Sequence, residues 1–169
     1  AEFDGVIIRS RIVLDDKILS LATNLKFIGR PGAGLENIDL NFCKKKNILV
    51  FRSPEGNRDA VGEHIIGMLL SLLNNLNKAD FQVRRGEWIR EGNRGQELKG
   101  KTIGIIGYGH MGRSFAQKLA GFEVNVIAYD KYLKGFESEL VSEVALNEIF
   151  TKTDILSLKY IQSIINNNI

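Results

Sequence analysis

The sequence predicts an α/β protein built on parallel sheets, and three observations predict it. Short apolar runs of strand length alternate with stripes of helical period, the pattern of strands joined by crossover helices. A glycine turn, Gly107-Tyr108-Gly109-His110-Met111-Gly112, directly follows the apolar run Thr102-Ile103-Gly104-Ile105-Ile106. An acid, Asp130, closes the next run, Val124-Asn125-Val126-Ile127-Ala128-Tyr129.

In chain order, Val6-Ile7-Ile8 reads as a short buried strand. Leu14, Ile18 and Leu21 then recur at helical spacing behind Asp15 and Asp16, acids that suit a helix N-terminus. Lys26-Phe27-Ile28 is the next strand and runs into Gly29-Arg30-Pro31-Gly32-Ala33-Gly34. A second helix is expected over 38–46, where Lys44, Lys45 and Lys46 form a solvated end that complements the dipole. Ile48-Leu49-Val50-Phe51 is a third strand. Val61, Ile65, Leu69, Leu72 and Leu76 repeat at steps of three and four toward Ala79 and Val83. They predict one long helix, capped by Asn57 or Asp59. At 1.5 Å per residue it would run roughly 35–40 Å, enough to bridge two domains. A polar loop over 85–99 leads to the glycine turn, and Phe115, Leu119 and Phe122 stripe the helix after it. Residues 145–150 read as a short helix and Asp154-Ile155-Leu156-Ser157-Leu158 as a strand. Counted from Thr102 this makes about three strands, where a full dinucleotide fold has six.

Composition narrows the function. A net charge of +3, with acids spread throughout, gives no basic surface for nucleic acid. Cys43 is the single cysteine, which excludes an internal disulfide and suits a reducing cytoplasm. No apolar stretch reaches membrane-spanning length, so a cytoplasmic protein away from the membrane is expected. Two distant histidines and one cysteine supply no metal cluster.

The order of strand, glycine turn, helix, strand and acid is that of a dinucleotide-binding unit. Gly107 permits the turn out of the strand, Gly109 lets backbone approach a pyrophosphate, and Gly112 lets the helix pack closely on the strand. The helix opening near His110 aims amides and its positive dipole end at the phosphates. Asp130 follows Gly112 near the spacing expected of a ribose-binding acid. Its charge would repel a 2′-phosphate by about 4 kcal/mol at close range and an effective dielectric near 20, which favours NAD over NADP. Lys131 beside it softens that preference. Glu63 and His64 resemble an acid–base dyad only on paper, because consecutive helical residues point about 100° apart; His64 reads as a packed residue.

Several segments together resemble the D-2-hydroxyacid dehydrogenase family, its D-3-phosphoglycerate dehydrogenase branch most closely. They are Val6-Ile7-Ile8-Arg9-Ser10, the stretch from Ile28 through Gly34 to Asp39, Asn57-Arg58-Asp59-Ala60-Val61-Gly62-Glu63-His64, Arg85-Gly86-Glu87-Trp88, Glu97-Leu98-Lys99-Gly100-Lys101 and the glycine turn. The resemblance implies two doubly wound parallel-sheet units joined by the long helix. One would be a partial flavodoxin-like substrate domain over 1–56. The other would be a partial Rossmann NAD-binding domain over 57–169, with a cleft between them.

By the same resemblance, the cofactor is NAD, held by Ala33, Gly107, Gly109, His110, Met111, Gly112 and Asp130. The substrate, a 2-hydroxyacid or 2-oxoacid and most simply 3-phosphoglycerate, would be held by Arg9, Arg30, Gly32, Ala33 and Gly34. Small residues in that loop expose amides that can nest an anion, and arginine forks suit a phosphate. The reaction implied is hydride transfer between NAD and C2, as in serine biosynthesis, by a homodimer or larger parent. Pro31 and Glu36 stand where the family commonly has Ala and Asp. The family's catalytic Arg, Glu and His fall after the last matching segment, so no catalytic residue is assigned. The alternative expectation is a non-catalytic NAD-binding or dimerising fragment.

Overall fold

Aspartate caps and the two-residue period of strands organise the first part of the chain. The Asp15 carboxylate accepts the Ile18 N–H at 2.9 Å and opens helix α1 (Asp16–Ser20). Asp39 accepts the Phe42 N–H at 2.9 Å and opens α2 (Leu40–Lys45), two residues later than the apolar pattern implied, because the cap residue itself stays outside the helix. Strands β1 (Gly5–Ile7), β2 (Phe27–Arg30) and β3 (Leu49–Arg52) pair in parallel in that order. The computed structural model describes residues 2–159, and the chain divides between Arg58 and Asp59 into two units.

In the first unit, Ile8, Leu14, Leu19, Ile28, Ile38, Cys43 and Ile48 form the core beneath α1 and α2. Strand side chains alternate between faces. The opposite face therefore presents Ile7, 74% exposed, with Phe27, Leu49 and Phe51. The run Val6-Ile7-Ile8 is thus not buried throughout, since both helices of this unit cover one face of the sheet.

The second unit corrects the single long helix. Two helices replace it, α3 (Arg58–Leu73) and α4 (Leu76–Arg84), with Asn75 between them at φ 54°, ψ 30°. Asparagine tolerates this left-handed conformation better than other side-chain-bearing residues, and the periodic apolar pattern runs through the break without registering it. The carbonyl of Leu73 accepts the N–H of Gln96 at 3.0 Å, and the Asn75 side-chain amide reaches the Arg94 carbonyl at 3.4 Å. The polar loop over 85–99 thereby satisfies the end of α3.

Strands β4 (Thr102–Ile106), β5 (Asn125–Tyr129), β6 (Ser142–Glu143) and β7 (Ile155–Leu158) form a parallel sheet in the order β6-β5-β4-β7. The two-residue β6 is one strand more than the apolar runs revealed. Helix α5 (His110–Leu119) joins β4 to β5, and α6 (Leu146–Lys152) joins β6 to β7. Ile103, Ile105, Phe115, Leu119, Val126 and Ala128 make the core with Leu69 of α3. Among the described residues no helix is long and apolar enough to cross a membrane.

Candidate functional site

The glycine turn stands at the carboxyl edge of the second sheet. Here β5 lies on one side of β4 and β7 on the other, a topological switch point where ligands of open α/β sheets bind. Gly107 has φ +96°, a conformation that side chains rarely adopt, and its N–H donates to the Tyr129 carbonyl at 2.8 Å. A Cβ on Gly112 would run into the Gly107 carbonyl oxygen, so α5 sits directly on the turn. Gly109 occupies the N-cap of α5 with no side-chain cap, and the space where its Cβ would stand is open.

The Arg113 N–H returns to the Gly109 carbonyl at 3.0 Å as the helix begins, so the amides of Met111 and Gly112 stand ahead of the first intrahelical bond. Open approach at Gly109 together with those amides fits the pyrophosphate of a dinucleotide.

Asp130 does more than the sequence indicated. One carboxylate oxygen accepts the Tyr108 N–H at 2.8 Å, and the other accepts those of Tyr132 at 2.8 Å and Leu133 at 2.9 Å. Partial burial alone would raise its pKa. The three backbone bonds and nearby Lys134 outweigh that and hold it below the usual carboxylate value. A carboxylate offers about four lone-pair sites, so about one is left for a further donor. Beside the turn, the Lys159 N–H donates to the Ile106 carbonyl at 2.7 Å, its ammonium lies 5.1 Å from the Phe115 ring, and burial lowers its pKa.

A cavity of about 630 Å³ opens between the ends of β5 and β6 and α6. Its wall carries Glu137, Glu143 and Glu148 against Lys134, a lining that repels phosphate. The turn, not this cavity, suits a pyrophosphate. Among the described residues no three potential ligands group around a metal position. His64 is exposed on α3 rather than packed.

In the first unit, Arg30 ends β2 with its guanidinium mostly covered. Its Nε donates to the Asn37 side chain at 3.1 Å and Nη2 to Glu36 at 3.0 Å, while Nη1 faces Gly32. Gly32 takes φ +145°, again a region that favours glycine. The Glu36 carboxylate folds against Gly34 as it pairs with Arg30. Arg9 is exposed and, with Ser10, Arg11 and Ile12, lines a concavity of about 480 Å³.

Two residues of this group carried no assignment from sequence. Asn37, buried, donates to the carbonyls of Arg9 at 3.1 Å and Ile12 at 2.6 Å, tying the ends of β1 and β2 together. Arg52 ends β3 and donates to the Ala33 carbonyl at 3.2 Å, beside the Ser53 N–H bond to Gly32 at 3.1 Å. The signal available was that all three strands of this unit lead into an arginine.

Comparison with known proteins adds four similarities. Residues 66–163 match the family model described as D-isomer specific 2-hydroxyacid dehydrogenase, NAD binding domain. The chain is 33% identical over 159 residues to a D-3-phosphoglycerate dehydrogenase of Archaeoglobus fulgidus, covering 93% of this chain and 30% of that one. It is 34% identical over 158 residues to a hydroxypyruvate reductase of Thermotoga maritima, covering 93% and 51%. Among solved structures, an NAD-dependent formate dehydrogenase from Staphylococcus aureus in complex with NAD superposes with a TM-score of 0.82 at 30% identity, over 94% of this chain and 49% of that one. The chain thus spans between about a third and a half of the length of these relatives.

Proposed function

Because the chain belongs to the D-isomer specific 2-hydroxyacid dehydrogenases and carries their NAD-binding domain, we propose that it provides the cofactor-binding and substrate-anion-binding parts of a dehydrogenase acting on a D-2-hydroxyacid, with 3-phosphoglycerate as that acid. The observation that carries the reading is the glycine turn at the switch point, with open approach at Gly109.

In this reading the amides of His110, Met111 and Gly112 neutralise the pyrophosphate, and Gly107 and Gly109 let it approach. Asp130 accepts a ribose hydroxyl with its remaining lone pair. NAD, when bound, supplies the hydride acceptor at C2. Arg9, Arg30 and the loop of Gly32, Ala33 and Gly34 fix the acid's anionic groups, which orients C2 and keeps the anions out of bulk water. The similarity to a phosphoglycerate dehydrogenase supports the phosphorylated acid, and so do the arginines that end the strands. Exposed Met68, Leu72, Leu76 and Phe81 on α3 and α4 support pairing with a second copy. The single buried Cys43 supports a cytoplasmic setting.

The test is a titration of NADH into the purified 169-residue chain, following energy transfer from Trp88 and the tyrosines. Saturable binding, lost in Gly109→Val, supports the assignment. A monodisperse, folded sample that does not bind overturns it.

A further inference from the structure

Resting on the substrate reading above, we infer that Arg52 is a specificity-determining residue that selects an acid bearing a second anionic group, a phosphate or a second carboxylate, beyond its C1 carboxylate. Arg30 and Arg52 are Cα partners in the register of β2 and β3, so both side chains leave the same face at the same level. Neighbouring strands lie about 4.8 Å apart, and like charges directly opposite one another destabilise a sheet. Two arginines at paired positions at the carboxyl end of a sheet are therefore better tolerated when an anion answers their charge.

The two arginines are not equivalent. Arg30 is mostly covered and its charge is met by Glu36 at 3.0 Å, whereas Arg52 is exposed and donates to a neutral carbonyl, that of Ala33. Bonding to Ala33 places the Arg52 fork on the same short loop that is proposed to hold the acid's anionic groups. The concavity lined by Arg9 and Arg11 stands at the same edge, where β1 ends, and Asn37 ties its backbone to Arg30. A monoanionic hydroxyacid leaves this excess of guanidinium unanswered. A planar fork answers a phosphate or carboxylate with two parallel bonds, which an ammonium cannot do.

Isothermal titration of the full chain with NADH present separates the possibilities, using D-3-phosphoglycerate, D-malate and D-glycerate. Arg52→Gln is expected to weaken D-3-phosphoglycerate roughly tenfold, as loss of a charge-assisted pair does, and to leave D-glycerate within about twofold. A matching loss for D-malate assigns the second group as any carboxylate or phosphate; a loss confined to D-3-phosphoglycerate assigns it as phosphate. Arg52→Lys keeps a donor for the loop and is expected to lose most of the same discrimination, so the ratio survives as a readout if the glutamine variant folds poorly. Equal losses for all three acids, or none, overturn the inference and leave the substrate reading standing. Failure of the wild-type chain to bind any of them overturns both.

Discussion

Replacing Asp130 by Asn separates the two duties of that carboxylate. The variant keeps the shape of the side chain but offers one acceptor and one donor where there were two acceptors. Its oxygen can serve Tyr132 and Leu133, and the amide nitrogen then faces the Tyr108 N–H; the reverse orientation sets it against two N–H groups. The better arrangement loses one charge-assisted bond outright and reduces two others to neutral strength. Bonds to charged groups contribute about 1.5–3 kcal/mol, and partial exposure of this site argues for the low end, so the expected loss is about 2 kcal/mol. For a unit of this size that lowers the melting temperature by about 8 °C.

The pH profile supplies a second reading of the same residue. A carboxyl held below its unfolded value, about 3.9, contributes stability that is fully present above that value and is lost as pH falls through the lower, folded one. Asp130→Asn is therefore expected to flatten the acid limb of stability, below about pH 4, and to leave the pH dependence near neutrality unchanged. Since about one lone pair remains for the ribose, NADH affinity measured well below the melting range is expected to fall about tenfold, one hydrogen bond's worth. Thermal melts from pH 2.5 to 7 and NADH titration at low temperature check both parts. A variant that melts like the wild type refutes the accounting of backbone bonds, and unchanged NADH affinity refutes the ribose assignment.

Glu36→Gln removes the carboxylate that occupies Arg30, and the affinity for D-glycerate measured by calorimetry is expected to rise severalfold. Gly107→Ala forces a side chain into φ +96° against the Lys159 carbonyl, and NADH titration is expected to show binding lost. Phe115→Ala empties a site only 1% exposed at the centre of the second unit, and denaturant unfolding is expected to show a loss of about 3–5 kcal/mol. Asn75→Gly relieves the left-handed position and is expected to be neutral or slightly stabilising in the same assay, whereas Asn75→Val costs about 1–2 kcal/mol.

What could be read in advance was local chemistry. Asp15, Asp39 and the glycines act on backbone within a few residues, so their spacing carries their meaning, and the helix begins at His110 where the turn places it. What could not be read depended on distant partners. The exposure of Ile7 is decided by which face of the sheet the helices cover. The two residues of β6 become a strand only by pairing with Ile127 and Ala128. Asp130 was legible as an acid at a strand end, but its bond to Tyr108 requires the turn to come back over it. Arg52 carried no assignment because an arginine closing a strand does not disclose which loop it will touch.

The break at Asn75 leaves α4 as an excursion that closes on itself. The chain leaves at Leu73 and Asn75 and returns at Arg94 and Gln96, bonded at the point of departure, while Lys78 and Gln82 tie the intervening loop to α4 through Gly92 and Asn93. The sheet and its glycine turn register only the two ends of that loop. No side chain of residues 76–93 belongs to the core of the second unit, so the excursion can open or fray on its own while the nucleotide turn and its sheet stay closed.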